Sequence, residues 1–148
     1  MWRNPPGRLA KTVDTEVLAK IYTQQWNQNL IDSALASRKA GTRLEGRVAN
    51  HVRNKLVGFQ KDIFRTDGTQ FTEIDVELPN AIIETTVGKT GKARQVADKM
   101  LSRLSNPNAK PVIVFGPKLG KHAIESIRSV GGLVARSFDE LDELLSTL

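Results

Sequence analysis

The sequence predicts a mixed α/β domain. Its sheet begins as an antiparallel meander and continues through parallel crossover strands, and an N-terminal helical extension precedes it. Three observations carry this reading. Apolar residues recur at helical spacing to about residue 57 and then switch to short strand-like segments separated by turn residues. Beyond the meander, helical and strand patterns alternate, the order that parallel crossovers require. A chain of 148 residues, 39% of them hydrophobic, is long enough for one core with its first segment to spare.

Residues 1–13 contain Asn4-Pro5-Pro6-Gly7 and read as an irregular lead-in. From Asp14, a candidate N-cap, to Ala40 there is neither Pro nor Gly. Val17, Leu18, Ile21, Tyr22, Trp26, Leu30, Ile31 and Leu35 recur there at helical spacing, which predicts one long helix or two short ones ended at Gly41. A second helix is expected over 42–57, stopped by Gly58. Strands follow at 59–65, 71–78 and 81–87, separated by Thr66-Asp67-Gly68-Thr69 and by Pro79-Asn80. A helix over 91–105 stops before Asn106-Pro107-Asn108. A buried strand at 111–115, a helix at 119–130 ended by Gly131-Gly132, a strand at 133–136 and an acidic amphipathic helix at 138–148 complete the chain. The expected division is an extension at 1–41 and a second domain at 42–148.

Composition excludes several classes of function. With no Cys there is no disulfide scaffold, thiol nucleophile or Cys-based zinc site. No apolar run is long enough to span a bilayer, and the N-terminus lacks the apolar stretch of a signal peptide. The net charge of +6 conceals an asymmetry: residues 137–148 hold four of the 16 acids and no Lys or Arg, leaving 22 bases against 12 acids elsewhere, a net +10. Such an excess fits a polyanion, nucleic acid first and an anionic membrane surface second, although it equally serves plain solubility.

The residues that carry chemistry are acids. On a helical wheel of 42–57, Leu44, Val48, Ala49, Val52 and Leu56 form one apolar arc, and Glu45 falls in its middle. A carboxylate aimed at a core requires an ion pair, a hydrogen bond or a metal, unless it swings out at the helix start. The Pro79-Asn80 hairpin then sets a register in which paired residues sum to 159, so Asp75 faces Glu84. Glu73 faces Thr86 and Glu77 faces Ile82 on the same side, while Ile74, Val76, Leu78, Ile83 and Val87 point to the other. Opposed like charges destabilise a sheet and call for a cation or a raised pKa, unless the face is simply solvated. Oxygen donors, in a chain with two His, suit Mg²⁺ or Mn²⁺ better than Zn²⁺.

The next helix adds base. Ala93, Val96, Ala97, Met100 and Leu104 form its apolar arc, with Lys92, Lys99 and Arg103 along one edge and Gln95 beside them. A basic stripe flanking an acidic metal site supplies what phosphodiester cleavage needs, phosphate positioning and transition-state charge, although it also fits a solvated flank. Thr86-Val87-Gly88-Lys89-Thr90 is not a Walker A loop, because Ile83 stands where that loop needs its first Gly. His51, at the edge of its helix's apolar arc, leaves open a metal-free ribonuclease chemistry.

Glu45 on a helix, Asp75 on one strand, Glu84-Thr85-Thr86 on the next and a following helix with Gln95 and Lys99 resemble the PD-(D/E)XK nuclease superfamily over about residues 42–115. The resemblance implies a restriction-endonuclease-like core and Glu45, Asp75 and Glu84 as metal ligands, with the main-chain carbonyl of Thr85 as a further one. The family's Lys, two residues after the second acid, is Thr86 here. Its role would pass to Lys99, to Lys89 or to a water held by Thr86. Lys89, Lys92, Gln95 and Arg103 would contact nucleic acid.

The tail, Pro111 to Phe115 with its following helix, Gly131-Gly132 and a terminal acidic helix, resembles C-terminal nuclease domains of contact-dependent growth inhibition and related bacterial toxins. That likeness implies tRNA cleavage in the cytoplasm of a target bacterium, delivery as the C-terminal part of a larger secreted toxin, and neutralisation by an acidic immunity protein. Residues 1–40 would then serve delivery or substrate docking. The same core is also similar to archaeal Holliday-junction resolvases and small restriction enzymes, which act on DNA. Outside enzymology the alternative is a non-catalytic nucleic-acid-binding module.

Overall fold

A computed structural model describes residues 26–148 except 66, 91, 103 and 104. Two helices, α1 (Gln28–Leu35) and α2 (Ala40–His51), and a 3-10 turn (Arg53–Lys55) lead into the sheet. Then come β1 (Gly58–Phe64), β2 (Gln70–Leu78), β3 (Ala81–Thr85), α3 (Ala93–Leu101), β4 (Val112–Phe115), α4 (Lys121–Ser129), β5 (Leu133–Ala135) and α5 (Phe138–Ser146). The five strands lie in sequence order, β1 to β3 antiparallel and β3 to β5 parallel. This is the mixed α/β sheet that the sequence predicts.

Side-chain alternation gives the sheet a core on each face. Ala81, Ile83, Ile113 and Phe115 pack with Ile31 and Ala34 of α1, Leu44, Val48 and Ala49 of α2, and Leu141 of α5. Ile82, Val112 and Val114 pack with Val96 of α3 and Ala123 and Ile127 of α4 on the other. The helices joining parallel strands thus share one side, as same-handed crossovers in one direction require. Among the described residues no helix is long and apolar enough to cross a membrane.

Several boundaries differ from the periodicity. The first described helix ends at Leu35, not at Gly41, which lies inside α2. The Ser37 hydroxyl accepts the Lys39 N–H at 3.1 Å, a local bond that competes with helix continuation. The turn lets α1 fold back on α2, and the two helices pack tightly at Gly46, where a Cβ would sit 2.9 Å from that of Ala34. Ile31 and Ala34, expected in an extension, are core residues. Asp14 and the helical pattern up to Tyr22 lie outside the described residues.

α2 likewise stops at His51 rather than before Gly58, because the 3-10 turn still buries Val52 and Leu56. α3 is shorter than expected at both ends, and Gly91, Arg103 and Leu104 lie outside the described residues. By contrast Ser137 caps α5 as its sequence favours: its hydroxyl accepts the Glu140 N–H at 3.1 Å, and the Glu140 carboxylate accepts the Arg136 N–H at 2.9 Å.

One irregularity shapes the site. Along β1 and β2, Gly58 pairs with Glu77 and Phe59 with Val76, then Lys61 with Ile74 and Asp62 with Glu73, while Gln60 and Asp75 between them stay out of the register. Gln60 has a φ of 50°, which non-glycine residues adopt rarely. Across this point the alternation switches faces: Phe59, Val76 and Leu78 belong to the α1–α2 core, Ile63 and Ile74 to the α3–α4 core. Glu73, Asp75 and Glu77 therefore do not share one side as a regular strand predicts.

Candidate active site

The β2–β3 ladder follows the expected hairpin register through Leu78↔Ala81, Glu77↔Ile82 and Val76↔Ile83, and there it stops. Beyond it β3 stays with β4, pairing Glu84 with Val114 and Thr85 with Phe115, while β2 stays with β1. Side chains take over the backbone donors exposed by this parting. The Asp75 N–H donates to Glu84 Oε2 at 3.2 Å, and Thr85 donates its N–H at 2.8 Å and its hydroxyl at 3.3 Å to Asp75 Oδ2. Asp75 and Glu84, 5% and 3% exposed, are thus part of the junction's own hydrogen bonding.

Helix α2 brings Glu45 to this junction, and the left-handed Gln60 places its amide nitrogen 2.9 Å from Glu45 Oε1. The face switch brings Glu73 to the same place. Carboxylate oxygens of Glu45, Glu73 and Asp75 all lie within 4.8 Å of one another, a grouping that could hold a metal ion. Burial first, and then the Asp75 charge, raise the Glu45 carboxyl above its ordinary range, offset partly by the Gln60 hydrogen bond and by Lys92. Burial and then a hydrogen bond and charge from Asp75, with Glu45 and Asp62 behind, push Glu73 up to about 8.

Glu84 faces α3. Lys99, 5% exposed, sets its Nζ 3.2 Å from Glu84 Oε1 and donates to the Thr72 hydroxyl at 3.0 Å. Burial and the Asp75 charge push Glu84 up to about 7 despite Lys99, the Asp75 N–H and Lys92. The structure thus joins Asp75 to Glu45 and to Glu84, and puts Lys99 on Glu84. The triple within metal-ligand reach, however, contains Glu73 where the sequence places Glu84.

The remaining predicted residues spread around this centre. Thr86 turns away: its hydroxyl accepts the Gly88 N–H at 3.3 Å and its methyl would abut any Cβ added at Gly116. Lys92 is half-buried at the start of α3, its charge felt by both Glu45 and Glu84. Gln95 lies exposed one turn before Lys99. Lys89 is exposed, its carbonyl accepting the Gly120 N–H at 3.0 Å. Arg103 lies outside the described residues. His51 is bound elsewhere, its Nε2 2.7 Å from Asp142 and its ring stacked on Phe138 with centroids 4.3 Å apart.

Sequence reasoning missed Glu73 as a ligand and Gln60 and Thr72 as supports. Spacing placed Glu73 beside Asp75, but the regular register aimed it at Thr86; only the irregularity at Gln60 turns it toward α2. Compared with known proteins, the chain matches no family model, no curated protein and no solved structure.

Proposed function

We propose that this chain is a metal-dependent nuclease that hydrolyses phosphodiester bonds of nucleic acid, as its likeness to the PD-(D/E)XK superfamily implies. The observation that carries the reading is the convergence of Glu45, Glu73 and Asp75 within 4.8 Å, beside the Glu84–Lys99 pair where β2 and β3 part. Three clustered carboxylates fit a hard divalent ion, Mg²⁺ or Mn²⁺, with Glu45, Glu73 and Asp75 as its ligands. When bound, such an ion supplies activation of the attacking water and polarisation of a phosphoryl oxygen.

The chain's own residues do the rest. Thr85 and the Asp75 N–H hold the two strand acids in place. Lys99, fixed by Glu84 and Thr72, supplies positive charge as negative charge builds on the phosphate. Lys92 and the wider basic excess attract the substrate backbone.

The test incubates the purified protein with total RNA and with plasmid, each with Mg²⁺, Mn²⁺, Zn²⁺ or EDTA. Cleavage with Mg²⁺ or Mn²⁺, none in EDTA and none by Asp75→Ala is expected. Cleavage that persists in EDTA would instead favour chemistry at His51, and binding without cleavage under every ion would favour a non-catalytic module. The toxin reading, a tRNA-cleaving domain restrained by an acidic immunity protein, predicts that expression alone arrests bacterial growth while Asp75→Ala is tolerated. Harmless expression of an active enzyme favours a DNA nuclease.

A further inference from the structure

On the α3 side of the sheet a hollow of about 500 Å³ opens beside Lys99, and its walls are unlike those of the acid cluster. Phe71 forms one wall because of a second irregularity in β2. Ile63 pairs with Thr72 but Phe64 with Gln70, so Phe71 is an extra residue on its strand. A bulge re-aims the side chain it carries. The half-buried Phe71 packs on the α3–α4 core and also lines the hollow, with the Arg65 guanidinium 5.1 Å from its ring centroid. Gln95 and Asp98 of α3 line it too. So does Ser105, 3% exposed, whose hydroxyl is the buried side-chain polar atom left without a hydrogen-bond partner among the described residues.

An aromatic ring with a guanidinium above it suits a flat heterocycle. Amide, carboxylate and hydroxyl groups around it suit that ring's hydrogen-bonding edge, whereas the Asp98 charge opposes a bare phosphate. The volume falls within the range of roughly 300–1,000 Å³ typical of small-ligand sites. Lys99 lines the hollow and touches Glu84, so an occupant lies next to the junction where the phosphate is engaged.

We infer that this hollow seats one unpaired base of the strand being cut, so that the substrate class is single-stranded or looped-out nucleic acid rather than continuous duplex. A base stacked in a duplex reaches such a pocket only after unpairing. The inference rests on the nuclease reading and sharpens it.

The test separates the two. In EDTA, binding of short labelled RNA and DNA oligonucleotides, single-stranded and duplex, is measured by fluorescence anisotropy at fixed ionic strength with wild type, Phe71→Leu and Phe71→Ala. Single strands should bind about tenfold tighter than duplex, and loss of the ring should remove about tenfold of single-strand affinity while leaving duplex binding unchanged. The Leu variant keeps an apolar side chain on the core, and unchanged duplex binding reports an intact fold. The RNA and DNA arms show which sugar is preferred. Equal binding of the two forms, or single-strand binding indifferent to Phe71, overturns the inference. These readouts need no cleavage, so a protein that binds duplex and single strand alike yet cuts with metal refutes the base seat but not the nuclease. One that prefers single strands through Phe71 yet cuts nothing refutes the nuclease but not the base seat.

Discussion

β2 carries carboxylates on both sides of the Gln60–Asp75 irregularity, and their surroundings are opposite in charge balance. Glu77, 8% exposed, is held between two lysines: Lys61 bonds Oε1, and Lys110 Nζ lies 2.8 Å from Oε2 and 2.9 Å from the Leu78 carbonyl. The Lys110 backbone is in turn fixed by Asn106, whose amide bonds both its N–H and its carbonyl at 2.8 Å. Burial pushes the Glu77 carboxyl up, but the two ammonium groups outweigh it and hold the group below its ordinary range. Across the irregularity, Glu45 and Glu73 are raised, by burial first and Asp75 next, and Gln60 and Lys92 compensate Glu45 only in part. A buried acid that serves the fold is neutralised by the chain itself; the other group leaves a deficit of positive charge suited to an external cation.

Substitutions at the two groups should have opposite consequences. Asp75→Asn should abolish cleavage, by about a thousandfold or more, while unfolding in urea at the same or a higher midpoint, since a like-charge repulsion is relieved. Glu77→Gln should leave turnover near wild type at low temperature but destabilise by about 3 kcal/mol, because two partly buried lysines lose their counter-charge and one of them faces an amide NH2 instead of an acceptor. If Asp75→Asn instead unfolds the protein, the acid cluster is a structural network like that of Glu77 and the contrast fails.

Next in size is the contrast between the two lysines of α3 and its start. Lys99→Met should lower kcat by about a hundredfold with little change in KM, because its charge is fixed on Glu84. Lys92→Ala should chiefly weaken binding and reduce the salt slope by about one. A Lys99→Met enzyme impaired only in binding would place the catalytic charge elsewhere, with Lys89 the first candidate.

The two acid groups should also tilt stability oppositely with pH. Glu73, raised to about 8 by burial and then Asp75, binds its proton more tightly folded than unfolded. Its contribution is complete below the ordinary value of 4.5 and is lost as pH climbs through about 8, and Glu84, raised to about 7, acts in the same sense. Glu77 contributes above 4.5 and loses that contribution as pH falls through its lowered value. The urea midpoint of EDTA-treated protein should therefore decline from pH ~5 to ~8, and Glu73→Gln should flatten the decline. Mn²⁺ should raise the midpoint more at the upper pH, where fewer protons must be displaced. The smallest effect is expected at His51. His51→Ala loses its stacking on Phe138 and a partly exposed contact to Asp142, the latter worth at most about 1 kcal/mol, and should not alter metal-dependent cleavage.

The order of strands and helices was legible because period and turn residues change together, and the closeness of Asp75 to Glu84 because a two-residue hairpin dictates the register as far as Val76↔Ile83, where the ladder ends one position short of the expected pair. Lys99 was reachable from helical spacing and the short connection after β3. The rest depends on features with no sequence signature. Nothing marks Gln60 for a left-handed backbone, and because Gln60 and Asp75 leave the register together the pairing shows no insertion, so regular alternation places Glu73 and Glu77 on one face. Nor could spacing join Glu77 to Lys110, which arrives from the loop before β4. The helix end expected at Gly41 was misplaced because that glycine lies in the first turn of α2, with open space around it, and terminates nothing.

The central claim, that Glu45, Glu73 and Asp75 form a divalent-cation site while Glu77 does not, is tested most directly by titrating Mn²⁺ into metal-free protein and following the free-ion EPR signal. Wild type and Glu77→Gln should deplete that signal equally at pH ~8, and Asp75→Asn should not deplete it. Failure of wild type to bind Mn²⁺, or unchanged binding by Asp75→Asn, would contradict the account.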